Sequence, residues 1–128
     1  MGKARILLVE DDADNQGMVR FLLERAGYEV ITANNGREGL AAIQEALPDL
    51  ILLDLSLPDV DGWQLAQKLK SEADTRPIPL LALTAHTLPG DRRKALSAGC
   101  DGYIAKPLKI ATFVQDLEKY LPPKGEMP

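Results

Sequence analysis

Glu10, Asp11 and Asp12 stand in a row directly after a short apolar run, and Asp54 closes a second run, Asp-Leu-Ile-Leu-Leu-Asp. Thr84 closes a third run, and Lys106 with Pro107 follows the brief apolar stretch Tyr103-Ile104-Ala105. Two carboxylates about 4 Å apart repel by roughly 1–4 kcal/mol at effective dielectrics between about 80 and 20. Gathering Glu10, Asp11 and Asp54 therefore requires a compensating cation, or one proton held at neutral pH. A ligand set of oxygens without His or Cys selects a hard ion. Mg2+ suits it, because Mg2+ takes one or two carboxylates, keeps waters and fills its remaining positions with phosphate oxygens. Lys106 and the Thr84 hydroxyl are suited to hold two other oxygens of a phosphoryl group. Asp54, in the middle, can act as an oxygen nucleophile, as carboxylates do in aspartyl-phosphate chemistry.

Each residue alone has a plainer explanation. Acids after a strand are often helix caps or solvated loop residues, a role open to Asp12 and Asp14. Threonine is an ordinary strand residue, and Lys-Pro an ordinary turn. The signal lies in coincidence, because the polar groups fall at one topological level of several strands.

The elements that must position them alternate in two rhythms. Arg5 to Val9 is too short for a helix and reads as a buried strand. Asp14 to Ala26 has helical spacing, with Met18, Phe21, Leu22 and Arg25 on one side and Gly27 as its C-terminal stop. Tyr28 to Ala33 is a second strand. Asn35 and Glu38 form an expected capping box opening a helix that Pro48 stops. Asp49 to Asp54 is strand three, Gly62 to Ala73 helix three, and Ile78 to Thr84 strand four, with Pro79 tolerable near its start. A short helix over about Asp91 to Ala98 ends at Gly99, before the fifth strand. Ile110, Phe113, Val114, Leu117 and Leu121 line one face of a last helix, closed by Pro122 and Pro123.

Five strand–helix units whose inner strands are apolar on both faces predict an α/β fold, a doubly wound, five-stranded parallel sheet flanked by five helices. The common order at this length is 2-1-3-4-5, as in flavodoxin-like folds, and it makes the ends of strands 1, 3, 4 and 5 neighbours. Ligands of such sheets bind beyond the carboxyl ends of the strands.

Composition narrows the function. The 128 residues fit one domain with a core of its own. A net charge of −4 argues against direct nucleic-acid or anionic-membrane binding. One cysteine (Cys100) excludes an internal disulfide, and with one histidine (His86) no multi-Cys or His-rich metal site can form. No apolar run approaches the ~18 residues of a membrane span, and Met-Gly-Lys-Ala-Arg is not the start of a signal peptide. A cytoplasmic, reduced-compartment protein is expected.

Four motifs in order, Leu-Val-Glu-Asp-Asp (8–12), Asp-Leu-Ile-Leu-Leu-Asp-Leu-Ser-Leu-Pro-Asp-Val-Asp-Gly (49–62), Leu-Thr-Ala-His (83–86) and Gly-Tyr-Ile-Ala-Lys-Pro (102–107), make the chain resemble a receiver domain of bacterial two-component response regulators. The resemblance spans residues 3–121, and residues 122–128 are expected to form a flexible tail or the beginning of a linker. It implies that Asp54 accepts a phosphoryl group from a phosphohistidine on a sensor kinase or histidine phosphotransfer protein. It further implies that Asp11 and Asp54 ligate Mg2+, with Glu10 acting through water and the Ser56 carbonyl as a further ligand. The register from Val9 favours Glu10 and Asp11 over Asp12 as the acidic pair. Thr84 would hydrogen-bond the new phosphoryl group, Lys106 would pair with it, and Lys106-Pro107 would be a cis peptide. Pro58 and Gly62 would shape the loop after Asp54. Tyr103 corresponds to the switch aromatic, although spacing alone favours plain core packing there by about two to one. Ser56 and His86 flank the phosphoryl group in this family and would tune its lifetime. Trp63 reads as a helix-surface residue near the site.

The resemblance is to single-domain regulators and to receivers fused to hybrid kinases. The expectation is a signalling switch rather than an enzyme, one that assists its own phosphorylation and dephosphorylation. Monomer or weak homodimer, it would act on a downstream protein target through the surface of the fourth helix, fifth strand and fifth helix, with no output domain attached. A dehalogenase-like phosphatase shares the aspartyl nucleophile and Mg2+, but it needs a second acid where Ser56 stands. A flavodoxin-type carrier would place hydroxyls, not three acids, after the first strand, and no Gly-rich nucleotide-binding motif occurs.

Overall fold

The computed structural model describes residues 4–54, 62–84, 93, 96–105 and 108–121. Five strands, β1 (Arg5–Val9), β2 (Glu29–Ala33), β3 (Leu50–Asp54), β4 (Leu80–Thr84) and β5 (Gly102–Ala105), pair in parallel in the order β2-β1-β3-β4-β5. Four helices stand among the described residues: α1 (Ala13–Arg25), α2 (Gly36–Glu45), α3 (Gly62–Ser71) and the C-terminal α4 (Phe113–Glu118). Of the helix expected over about Asp91 to Ala98, Arg93, Leu96 and Ser97 are helical, Ala98 and Gly99 form a turn, and the other residues lie outside the described set.

The sheet separates two apolar layers because successive strand side chains point to opposite faces. Leu7, Val9, Ile51 and Leu53 pack under α2 and α3 with Ile43, Leu65 and Leu69. Ile6, Leu8, Leu50 and Leu52 pack under α1 and α4 with Val19, Leu23, Phe113 and Leu117. Covered on both sides, β3 is buried along its whole length, which is why it carries no polar residue until Asp54.

Three local expectations are corrected. The buried residues of α1 are Val19 and Leu23, with Leu22 partly buried beside them, while Phe21 is 59% exposed. The last helix begins only at Phe113, and Ile110 is 62% exposed. The expected Asn35–Glu38 capping box is half formed. Asn35 Oδ1 accepts from the Glu38 N–H (2.9 Å), but the Glu38 carboxylate turns to Asn34, accepting from its N–H (3.0 Å) and its Nδ2 (3.1 Å). Gly27, at φ +100°, ends α1 as expected, in the left-handed region where a Cβ is penalised.

The amino ends of the strands are tied by polar contacts. The Arg5 N–H donates to the Asp49 carboxylate (2.7 Å). Lys70 Nζ meets Asp101 (2.7 Å) and donates to the carbonyls of Arg76 (2.9 Å) and Ile78 (2.8 Å), while Asp101 accepts from the Leu80 N–H (2.8 Å). Tyr28 Oη donates to Glu118 at 2.5 Å, joining the start of β2 to α4. At the outer edge, Gly102 leaves room for Tyr120. A Cβ there would lie 2.5 Å from the Tyr120 ring and 2.7 Å from Leu81.

Candidate functional site

Strand register brings the acids together. Val9 pairs with Leu53 in the parallel β1–β3 ladder, so Glu10 and Asp54, each one residue on, stand level on adjacent strands. Adjacent strands lie about 4.8 Å apart, and both residues continue the face of Leu8 and Leu52. Glu10 is held in line by its N–H, which donates to Ala33 O (3.0 Å) and extends the β1–β2 ladder by one bond. Carboxylate oxygens of Glu10, Asp11 and Asp54 all lie within 4.8 Å of one another. Glu10 and Asp54 are only 1% and 3% exposed, whereas Asp11 is solvent-exposed.

Asp12, the third acid of the row, has a different task. Its side chain caps α1, accepting from the Asn15 N–H (3.0 Å), and it is not part of the carboxylate cluster. This is the helix-capping role its position allowed, and it leaves Glu10 and Asp11 as the acids facing Asp54. Glu10 also steadies the turn between β1 and α1, its carboxylate accepting from the Asp12 N–H (3.2 Å).

The donor chemistry fits a hard divalent ion. Three carboxylates from two strand ends supply oxygen ligands alone, and two come from buried positions where close negative charges repel most strongly. Around this cluster, β4 runs beside β3 with Asp54 paired to Leu83, and Thr84 is the next residue, paired to Ala105 of β5. The backbone thus brings the ends of β3, β4 and β5 to one edge. The Thr84 side chain, Ser56, Pro58, His86, Lys106 and Pro107 lie outside the described part of the structure, as does the Trp63 side chain. Tyr103 is half-buried against the α2–α3 side of the core. It also lines a hollow of about 380 Å³ with Ile104, Lys109, Phe113 and Tyr120.

Two residues near the acids were not singled out from the sequence. Gln16 Nε2 donates to the carbonyl of Glu10 (3.0 Å) and to Asn34 Oδ1 (3.0 Å). Their only signal in the sequence is that Gln16 lies one helical turn after the capping Asp12, above the strand end.

Among the described residues away from the site, burial raises the pKa of two groups. Burial, with the hydrogen bond to Glu118 and its charge, pushes the Tyr28 phenol well above its ordinary value. Burial and then the Asp101 charge push the Cys100 thiol up to about 11, against an opposing effect of Lys70. No described helix is long and apolar enough to cross a membrane.

The profile of the response regulator receiver domain matches residues 6–118. The polar-differentiation response regulator DivK of Brucella anthropi is 39% identical over 116 residues, 91% of this chain and 94% of that protein. Among solved structures, the chemotaxis protein CheY4 of Vibrio cholerae superposes with a TM-score of 0.88 at 32% identity, covering 94% of this chain and 100% of that one. The receiver domain of the sensor histidine kinase PA1611 from Pseudomonas aeruginosa, which has a magnesium ion coordinated in its active-site cleft, superposes with a TM-score of 0.84 at 34% identity, covering 93% and 98%. With an acidic cluster at the carboxyl edge of a 2-1-3-4-5 sheet and a match over nearly its whole length, the chain belongs to the response regulator receiver domain family.

Proposed function

We propose that Asp54 is the phosphoryl acceptor of a Mg2+-dependent signalling switch. The observation that carries this is the meeting of Glu10, Asp11 and Asp54 oxygens within 4.8 Å at the end of the buried central strand. Asp11 and Asp54 would ligate the ion directly, Glu10 through water and Ser56 through its carbonyl. When bound, the ion supplies positive charge that offsets the carboxylates and the phosphoryl oxygens. An Asp54 oxygen forms the bond to phosphorus as the P–N bond of a phosphohistidine on a kinase or phosphotransfer partner breaks. The electron pair passes to the imidazole nitrogen, which takes up a proton. Lys106 would pair with one phosphoryl oxygen and the Thr84 hydroxyl would donate to another. Ser56 and His86 would set how long the product survives.

Phosphorylation would bias Thr84 and Tyr103 toward a second arrangement that a downstream protein reads, in the cytoplasm. The receiver unit would occupy residues 3–121. Promotion of its own phosphorylation and dephosphorylation belongs to the same reading.

Incubation of the purified chain with acetyl phosphate and Mg2+, followed by intact mass measurement, tests it. The expected result is a gain of one phosphoryl group that vanishes in Asp54→Asn and without Mg2+. Labelling that persists in Asp54→Asn, or that needs no divalent ion, overturns it.

A further inference from the structure

Asp11 is the most exposed of the three clustered acids, so packing does little to aim its carboxylate, and its direction depends on its backbone. That backbone is pinned on both sides. The peptide before Asp11 is held through the Glu10 carbonyl, which accepts from Gln16 Nε2 (3.0 Å). The peptide after it is held through the Asp12 N–H, which donates to the Glu10 carboxylate (3.2 Å). The Gln16 N–H also donates to Asp12 O (2.9 Å), so one residue grips the turn before and after Asp11.

The orientation of the Gln16 amide is itself determined. Its two Nε2 hydrogens go to two acceptors, Glu10 O and Asn34 Oδ1. Asn34 cannot be flipped without loss, because its Nδ2 donates to the Glu38 carboxylate (3.1 Å), which has oxygens to accept with and no hydrogen to donate. A thread of single polarity therefore runs from α2 through Asn34 and Gln16 to the metal-facing turn. We infer that Gln16 is a positioning residue for the Asp11–Glu10 pair, fixed in turn by Asn34 and Glu38. The inference rests on reading the acidic cluster as a divalent-cation site. Mg2+ is the demanding case, since it tolerates little departure from octahedral geometry, and partners that orient a ligand contribute strongly to metal affinity.

Calorimetric Mg2+ titration of the full 128-residue chain decides it, comparing wild type, Gln16→Met, Asn34→Ala and Asp11→Asn. Gln16→Met keeps the length of the side chain and removes the donor. Its Mg2+ Kd is expected to rise about tenfold, and that of Asn34→Ala about twofold to threefold. The Mg2+ concentration giving half the maximal acetyl phosphate labelling rate should rise in parallel, with the rate at saturating Mg2+ within about twofold of wild type. A purely packing role would lower the melting temperature of the Mg2+-free protein and leave Kd where it was. An unchanged Kd in both variants overturns the inference. Should Gln16→Met not fold, the exposed Asn34→Ala decides alone, and an unchanged Kd there overturns it. Wild type that binds no Mg2+, or Asp11→Asn that binds it as wild type does, overturns the site reading and this inference together. Loss in Asp11→Asn with no change at Gln16 or Asn34 overturns only the inference.

Discussion

The two ends of this sheet treat charge in opposite ways. At the amino ends, carboxylates are matched with donors: Asp49 with the Arg5 N–H, Asp101 with Lys70 and the Leu80 N–H, Glu118 with Tyr28. At the carboxyl ends, three carboxylates converge on one another. The first arrangement lowers the energy of the fold, whereas close carboxylates repel one another and a bound cation or a proton relieves that repulsion. β3 carries both, opening beside Asp49 and closing on Asp54 with four buried apolar residues between. Stabilising contacts and the proposed cation site thus lie at opposite ends of a single strand, and substitutions at the two ends should separate in the same way.

The largest effect on stability is expected from Lys70→Met. It removes the ammonium from Asp101 and from two carbonyls while keeping most of the aliphatic stem, and should cost about 2–3 kcal/mol in urea unfolding. Mg2+ affinity should stay at the wild-type value, and a fall in affinity as large as the fall in stability would break the separation of the two ends. Tyr28→Phe should cost about 1–2 kcal/mol near neutral pH by deleting the bond to Glu118.

The same position has a pH signature. The folded state raises the phenol pKa, so the stabilisation is complete below the ordinary value of 10.0 and is lost as pH rises beyond it. Cys100 behaves likewise between its ordinary 9.0 and about 11. Wild-type stability should therefore decline above about pH 9. Tyr28→Phe should flatten the decline above pH 10 and Cys100→Ala the decline between about pH 9 and 11, measured by urea midpoints at stepped pH. The smallest effect, of opposite sign, belongs to the other end. In Mg2+-free buffer Asp54→Asn should leave stability unchanged or raise it by about 1 kcal/mol, because one of three mutually repelling charges is gone. A clear loss of stability there would show that the cluster holds the fold together without an ion.

Much of the fold was legible because short apolar runs between turn residues have few alternatives in a chain of alternating strands and helices. Strand order followed from topology rules, and with it the meeting of Glu10 and Asp54. Helix faces were harder. In α1 the spacing of Met18, Phe21, Leu22 and Arg25 competes with that of Val19 and Leu23, and only the contact with β2 and α4 decides which pair is buried. Asp12 could be a ligand or a cap by type, and its bond to the Asn15 N–H settles it as a cap. The Glu38 carboxylate left its expected partner for Asn34, and Gln16 bridges segments far apart in sequence. Neither contact has a period or a composition to announce it.

The seat of Tyr120 on Gly102 bears on how this domain could be engineered. Because the ring rests where a β5 side chain would otherwise be, the polypeptide leaving Leu121 departs from a fixed point on the rim of the hollow that Tyr103 lines. A fluorophore or split reporter joined at that point would stand beside the proposed switch ring, converting occupancy of a carboxylate at one edge into an optical signal at the other. Gly102→Ala, by evicting Tyr120, would uncouple the reporter while leaving Glu10, Asp11 and Asp54 in place.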